Sequence, residues 1–159
     1  MKIRILCVGK CKESFMRQGI EEYCKRISKY AKIAVEEVPD EKTKEDASEK
    51  EDEIVKNKEG EALLSKINER DYCIALAIKG KTYDSVGFSK HLSDLMLKGE
   101  GSLCFIIGGS LGLSKAVMDR ADETLSFSDF TFPHQLMRMI LTEQIYRAFR
   151  IMKNEPYHK

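Results

Sequence analysis

Residues 103–109, Leu-Cys-Phe-Ile-Ile-Gly-Gly, set five consecutive apolar side chains directly before two glycines. An unbroken apolar run of this length belongs to a strand covered on both faces. The glycines let the chain turn sharply and approach a flat ligand, because no Cβ stands in the way. Residues 72–78, Tyr-Cys-Ile-Ala-Leu-Ala-Ile, repeat the apolar run and predict a neighbouring buried strand. Working outward, residues 3–8 (closed by Gly9), 33–38 (ended by Pro39-Asp40) and 124–127 read as three more strands.

Helical spacing fills the intervals. Phe15, Ile20, Tyr23, Ile27 and Tyr30 form one stripe over 13–30. A weaker stripe of Ile54, Val55, Leu63, Leu64 and Ile67 starts near Asp46, with Gly60 as an expected interruption. Phe88, Leu92, Leu95 and Met96 predict a helix over 85–98, and Ser114 predicts an N-cap after Leu113. Pro133 opens a last helix to about Lys153, with Met137, Ile140, Leu141, Ile145, Ala148, Phe149 and Met152 on its core face. Strands and helices alternate throughout, giving an α/β layered domain with a mostly parallel sheet over residues 1–159. In such sheets ligands bind beyond the carboxyl ends of the strands. Here those ends are Gly9, Ile78-Lys79-Gly80, Gly108-Gly109 and Ser128.

The 159 residues fit one domain and are too few for an eightfold βα barrel of about 250. Net charge is +1, which by itself argues against a nucleic-acid partner. The average hides a split. Residues 36–59 carry 11 acids and 5 bases, residues 1–35 carry 9 bases and 3 acids, and residues 133–159 carry 5 bases and 2 acids. The start resembles no signal peptide and no apolar run is long enough to span a bilayer, so a cytoplasmic protein is expected. Five cysteines without a C-x-x-C spacing read as free thiols, and no metal site is expected.

Three nucleotide or hydrolase motifs are nearly present and fail. Lys79-Gly80-Lys81-Thr82 holds Gly-Lys-Thr, but Ala75 stands where a P-loop needs its first glycine. Gly108-Gly109-Ser110-Leu111-Gly112 matches a nucleophile elbow with His134 and His158 downstream, yet no His-Gly-Gly oxyanion element precedes it. The same glycines do not have the spacing of a dinucleotide fingerprint.

The segment Leu125 to Arg138 combines a strand end, a loop carrying Phe127, Phe130 and Phe132, and a Pro-started helix with His134 and Arg138 in its first turns. Aromatic loops can wall a purine and helix starts attract anions. Together with Ile107-Gly108-Gly109-Ser110-x-Gly112, Thr131-Phe132-Pro133-His134-Gln135, Glu143-Gln144-x-Tyr146-Arg147-Ala148, the terminal Pro156-Tyr157-His158-Lys159, Lys2-Ile3, Val8-Gly9-Lys10 and Val38-Pro39-Asp40, this segment makes the chain closely resemble the RlmH family. The resemblance runs end to end.

Members of that family are SPOUT-class methyltransferases. The resemblance implies a C-terminal trefoil knot, a homodimer, and methyl transfer from S-adenosyl-L-methionine to N3 of a pseudouridine in helix 69 of 23S rRNA in assembled ribosomes. It implies a cofactor site made by Leu76, Gly108, Phe127, Ser128, Asp129, Phe130, Thr131 and Phe132. It makes His158 the candidate base or proton-orienting group, Arg138 an alternative stabiliser of the developing anion, and Tyr157 a stacking partner for the target base. Tyr157-His158-Lys159 are expected to reach a neighbouring pocket, and His134 to cap or pack. Lys10, Lys12, Arg17, Lys25, Arg26, Arg147, Arg150 and Lys159 are available for phosphates. A SPOUT enzyme with another RNA target and a non-catalytic RNA-binding dimer are the alternatives.

Overall fold

A computed structural model describes residues 1–159. Five strands, β1 (Lys2–Val8), β2 (Lys32–Val38), β3 (Tyr72–Thr82), β4 (Ser102–Ile107) and β5 (Glu123–Ser126), alternate with five helices. The helices are α1 (Ser14–Ile27), α2 (Glu49–Leu64), α3 (Ser85–Leu97), α4 (Lys115–Arg120) and α5 (His134–Met152). The strands form one sheet in the order β2-β1-β4-β3-β5, and every pairing is parallel. Parallel strands need crossovers, and here each crossover is a helix.

Both faces of the sheet are covered, as the apolar runs require. Ile3, Ile5, Ile74, Leu103, Phe105 and Ile107 pack with residues of α1, α3 and α5. Leu6, Val8, Cys73, Cys104 and Ile106 point the other way, against Leu63 of α2 and Val117 of α4. Of the core face expected for α5, Met137, Leu141, Ile145, Ala148 and Phe149 are buried, while Ile140 and Met152 are half-buried. Phe15 and Ile54, expected on buried stripes, are exposed at 61% and 50%. All five cysteines are free thiols.

Gly60 does not interrupt α2. A Cβ there would stand 2.2 Å from the Oγ of Ser114, the N-cap of α4, whose hydroxyl accepts from the Val117 N–H. The glycine is a helix–helix contact, not a break. Gly60→Ala, which gains helix propensity in isolation, is therefore expected to destabilise the fold by about 1–3 kcal/mol through overpacking. Thermal unfolding of the variant checks this.

β3 runs four residues beyond its expected end at Ile78 and changes register on the way. Leu76 and Lys81 both pair with Leu125, so residues 77–80 bulge out between them. A Cβ on Gly80 would lie 2.7 Å from the Leu125 carbonyl carbon. The glycine of Lys79-Gly80-Lys81-Thr82 thus serves close approach of two strands.

At the opposite, amino end of the sheet sits a buried ion pair. Arg4 Nη1 lies 2.6 Å from Asp71 Oδ2. Arg4 also donates to Glu36 and to the Lys66 carbonyl, while Asp71 accepts from Ser102 Oγ and the Asn68 N–H. No helix is long and apolar enough to cross a membrane.

Candidate functional site

The carboxyl ends of β3, β4 and β5 open onto a cavity of about 360 Å3. Leu76 to Ile78 supply one side, Ile107 to Gly112 a second, and Leu125 to Phe132 a third, except Asp129. His134 and Met137 of α5 close it. Of the eight residues expected to hold a cofactor, seven line the cavity. Asp129 is exposed and does not.

The backbone around this cavity is shaped by glycine. Gly112 has φ +82°, in the left-handed region. A Cβ on Gly108 would come within 2.8 Å of the Gly112 carbonyl carbon, so the turn from Gly108 to Gly112 closes only without one. A Cβ on Gly109 would meet Val8 Cγ1 at 3.2 Å and Glu59 Oε1 at 3.3 Å. Ser110 is exposed at the tip of this turn and forms no hydrogen bond with either downstream histidine, so no nucleophile–base pair exists there.

The third wall carries unspent hydrogen-bonding capacity. No main-chain N–H or C=O of residues 128–132 takes part in a backbone–backbone bond. The loop is held instead by Ser126 Oγ donating to the Ser128 carbonyl and by the Phe130 N–H donating to Ser128 Oγ. Free main-chain donors and acceptors beside apolar and aromatic walls are the chemistry a purine needs, with ring faces on the walls and ring edge on the backbone. The donor set fits the adenosine part of S-adenosylmethionine.

A second cavity of about 410 Å3 shares Leu125, Ser126 and Phe127 with the first. Tyr83, Asp84, Ser85, Gln144 and His158 give it a more polar lining. Ser85 Oγ donates to Gln144 Oε1 at 2.9 Å. The Tyr83 hydroxyl is buried with no partner.

The carboxyl-terminal tail folds back onto α5 of its own chain. Arg150 Nη2 donates to the Pro156 carbonyl at 2.8 Å. Tyr157 donates to Glu143 Oε1 at 2.9 Å, meets Tyr146 edge-on, and lies under the Arg147 guanidinium, 4.6 Å from its ring centroid. Burial, then the bond to Glu143, push the Tyr157 hydroxyl well above the ordinary tyrosine range. Arg147 Nη1 is 3.3 Å from His158 Nδ1. A guanidinium only donates, so in this contact Nδ1 is the acceptor. Within its own chain, the tail places His158 at the edge of the second cavity.

A family model described as "Predicted SPOUT methyltransferase" matches residues 1–158. The chain belongs to the SPOUT methyltransferase family. It is 57% identical to the "Ribosomal RNA large subunit methyltransferase H" of Clostridioides difficile (strain 630). It is 56% identical to the protein of that name from Bacillus pumilus (strain SAFR-032) and 54% to that from Enterococcus faecalis (strain ATCC 700802 / V583). In each case the match covers 100% of both chains. Among solved structures, a probable methylase family protein from Haemophilus influenzae Rd KW20 superposes with a TM-score of 0.54 at 10% identity, over 99% of this chain and 70% of that one. At that identity the likeness concerns the fold alone.

Within this SPOUT domain two residues of the first turns of α5 are placed differently. Arg138 is 1% exposed and absent from both cavity linings. Its Nη2 donates to the Val8 and Gly9 carbonyls at 2.7 and 2.8 Å, tying α5 to the end of β1. Its Nε and Nη1 have no hydrogen-bond partner, and Nη1 lies 3.9 Å from Glu37 Oε1. His134 does line the cofactor-sized cavity and caps nothing through its side chain. Burial, then Arg138, hold its imidazole below the ordinary range, with Asp40 opposing. Glu143 is the residue whose role the sequence reading missed. Its four-residue spacing from Arg147 on a helix was the available signal, and the two form an ion pair.

Proposed function

We propose that this protein is an S-adenosylmethionine-dependent methyltransferase of large-subunit ribosomal RNA. The finer reading is a homodimer that methylates N3 of a pseudouridine in helix 69 of assembled ribosomes. The observation that carries it is the pair of adjoining cavities. One is apolar with free main-chain groups at its wall, and the other is polar with His158 at its edge. The names of the full-length relatives support the ribosomal RNA substrate. The trefoil knot belongs to the same reading, supported by family membership.

When bound, the cofactor supplies a methyl group on a sulfonium, ready for in-line displacement. Leu76, Gly108 and the Phe127–Phe132 loop would hold its adenosine, Asp129 excepted. The second cavity takes the target ring between Tyr83, Gln144 and His158. N3 of a uracil-like ring is a poor nucleophile until its proton leaves. In this reading His158, at the edge of that cavity, orients the proton rather than removing it: an Nε2–H donated to a ring carbonyl would stabilise the anion that forms at N3. Arg147, through His158 and Glu143, fixes that orientation. Tyr157, bonded to Glu143 and flanked by Tyr146, holds the tail in place. Exposed Lys10, Lys12, Arg17 and Lys25 in and near the first turns supply phosphate contacts.

The test is transfer of a labelled methyl group from the cofactor to assembled ribosomes, with and without pseudouridine in helix 69. Incorporation confined to pseudouridine-containing ribosomes is expected. Equal labelling of both would overturn the pseudouridine reading, and no labelling of either would overturn the ribosomal one.

A further inference from the structure

Glu59 is a buried carboxylate without a counter-charge. It lies on α2, inside the acidic segment, yet is only 5% exposed. Its Oε2 accepts from the Glu41 N–H at 3.1 Å, its Oε1 has no hydrogen-bond partner, and it forms no ion pair. Burial pushes its carboxyl above the ordinary glutamate range. The Glu41 N–H pulls the other way, and the nearby Asp40 and Glu41 charges add to the rise. The bond to Glu41 ties that backbone to α2, but a buried carboxylate is ordinarily also paired with a cation, and none lies against this one.

Its position gives a reason. The carboxylate stands against Gly109, whose missing Cβ would have lain 3.3 Å from Oε1 and 3.4 Å from Oε2. Gly109 is in turn part of the cavity wall. No side chain therefore separates the charge from the backbone of the cradle, and no lysine or arginine lines the cavity. Gly60, the next residue of α2, fixes the other end of the same turn through Ser114. The helix thus holds its acid in register with the glycine turn.

We infer that Glu59 is a specificity-determining residue that makes the cavity favour a cationic ligand over its neutral counterpart. The inference rests on the cofactor reading above. Methyl transfer breaks the bond between sulfur and the methyl carbon and leaves the electron pair on sulfur. A positively charged sulfonium thereby becomes a neutral thioether, while the acceptor gains the methyl and loses its proton. A fixed negative charge behind the cradle attracts the donor and not the product. It therefore opposes product inhibition without any contact to the reacting atoms. In a partly buried setting, such a charge several ångströms away is worth about tenfold in affinity.

Calorimetry on the full chain with S-adenosylmethionine and S-adenosylhomocysteine tests this. Wild type is expected to bind the sulfonium more tightly than the thioether. In Glu59→Gln the sulfonium affinity is expected to fall about tenfold, with the thioether affinity unchanged within about twofold. Glu59→Asp, which keeps the charge, is expected to retain the preference. Equal weakening of both ligands in Glu59→Gln would make the residue a brace of the turn and overturn the inference. So would equal affinities in wild type, a measurement that does not depend on any variant folding. Binding of neither ligand by wild type would instead overturn the cofactor reading itself.

Discussion

Replacing His158 with alanine is expected to lower the methyl-transfer rate by about 10²–10³-fold, with cofactor affinity unchanged within about twofold. The split follows from where the ring sits. His158 borders the second cavity and is absent from the first, so its loss removes nothing from the adenosine site. What is lost is a donor aimed at charge that appears only as N3 loses its proton. Arg147 makes that donor dependable. With Nδ1 accepting from Nη1 at 3.3 Å, Nε2 is the ring nitrogen left to donate. His158→Gln, whose amide can still donate, should recover part of the rate. Single-turnover kinetics on ribosomes separates the chemical step from binding and release. A His158→Ala enzyme with wild-type single-turnover rates would remove this residue from the chemistry.

The second large effect is on stability. Asp71→Ala is expected to destabilise the fold by about 3–5 kcal/mol, because it leaves the buried Arg4 guanidinium facing an empty position. For a chain of this size that is a fall in Tm of about 10 °C or more. Asp71 is 4% exposed and Arg4 5%, so water does not fill the gap cheaply. The same pair sets the acid limit of the fold. Burial alone would raise the Asp71 carboxyl, but the bonds from Ser102 and Asn68 and the charge of Arg4 outweigh it, and the net shift is downward. A carboxyl lowered on folding adds stability above its unfolded value of about 3.9. That stability is lost as the pH falls through the lower, folded value. Denaturant unfolding at pH 7 and near pH 3 reads the loss directly, and Asp71→Ala should show less of it than wild type.

The site was legible where chemistry follows backbone. Gly108, Phe127, Ser128, Phe130, Thr131 and Phe132 come together because each follows a parallel strand, and parallel strands end on the same side of a sheet, while Leu76 joins them from within β3, at the edge of its bulge. The burial of Arg138 was not legible, because an arginine in a helix's first turns looks available until the neighbour it faces is known. Here that neighbour is the end of β1, 130 residues earlier in the chain. Glu59 could not be singled out at all. In the sequence it is one acid among the 11 of residues 36–59, and only packing buries it.

The amino-acid sequence by itself determined the alternation of strands and helices, the covered parallel sheet, the Ser114 and Pro133 helix starts, and the likeness to the family. All of these are local patterns of apolar spacing, turn chemistry and motif. The tertiary structure alone decided which glycines are contacts. Gly60 and Gly80 look like a helix break and a phosphate loop in sequence, but they are places where Ser114 and Leu125 come too close for a Cβ. It also decided what the +1 net charge conceals. One of the acids behind that near-neutral total, Glu59, is buried against Gly109 in the wall of the first cavity. Distance and dielectric, which set the strength of a charge, exist only once the chain has folded.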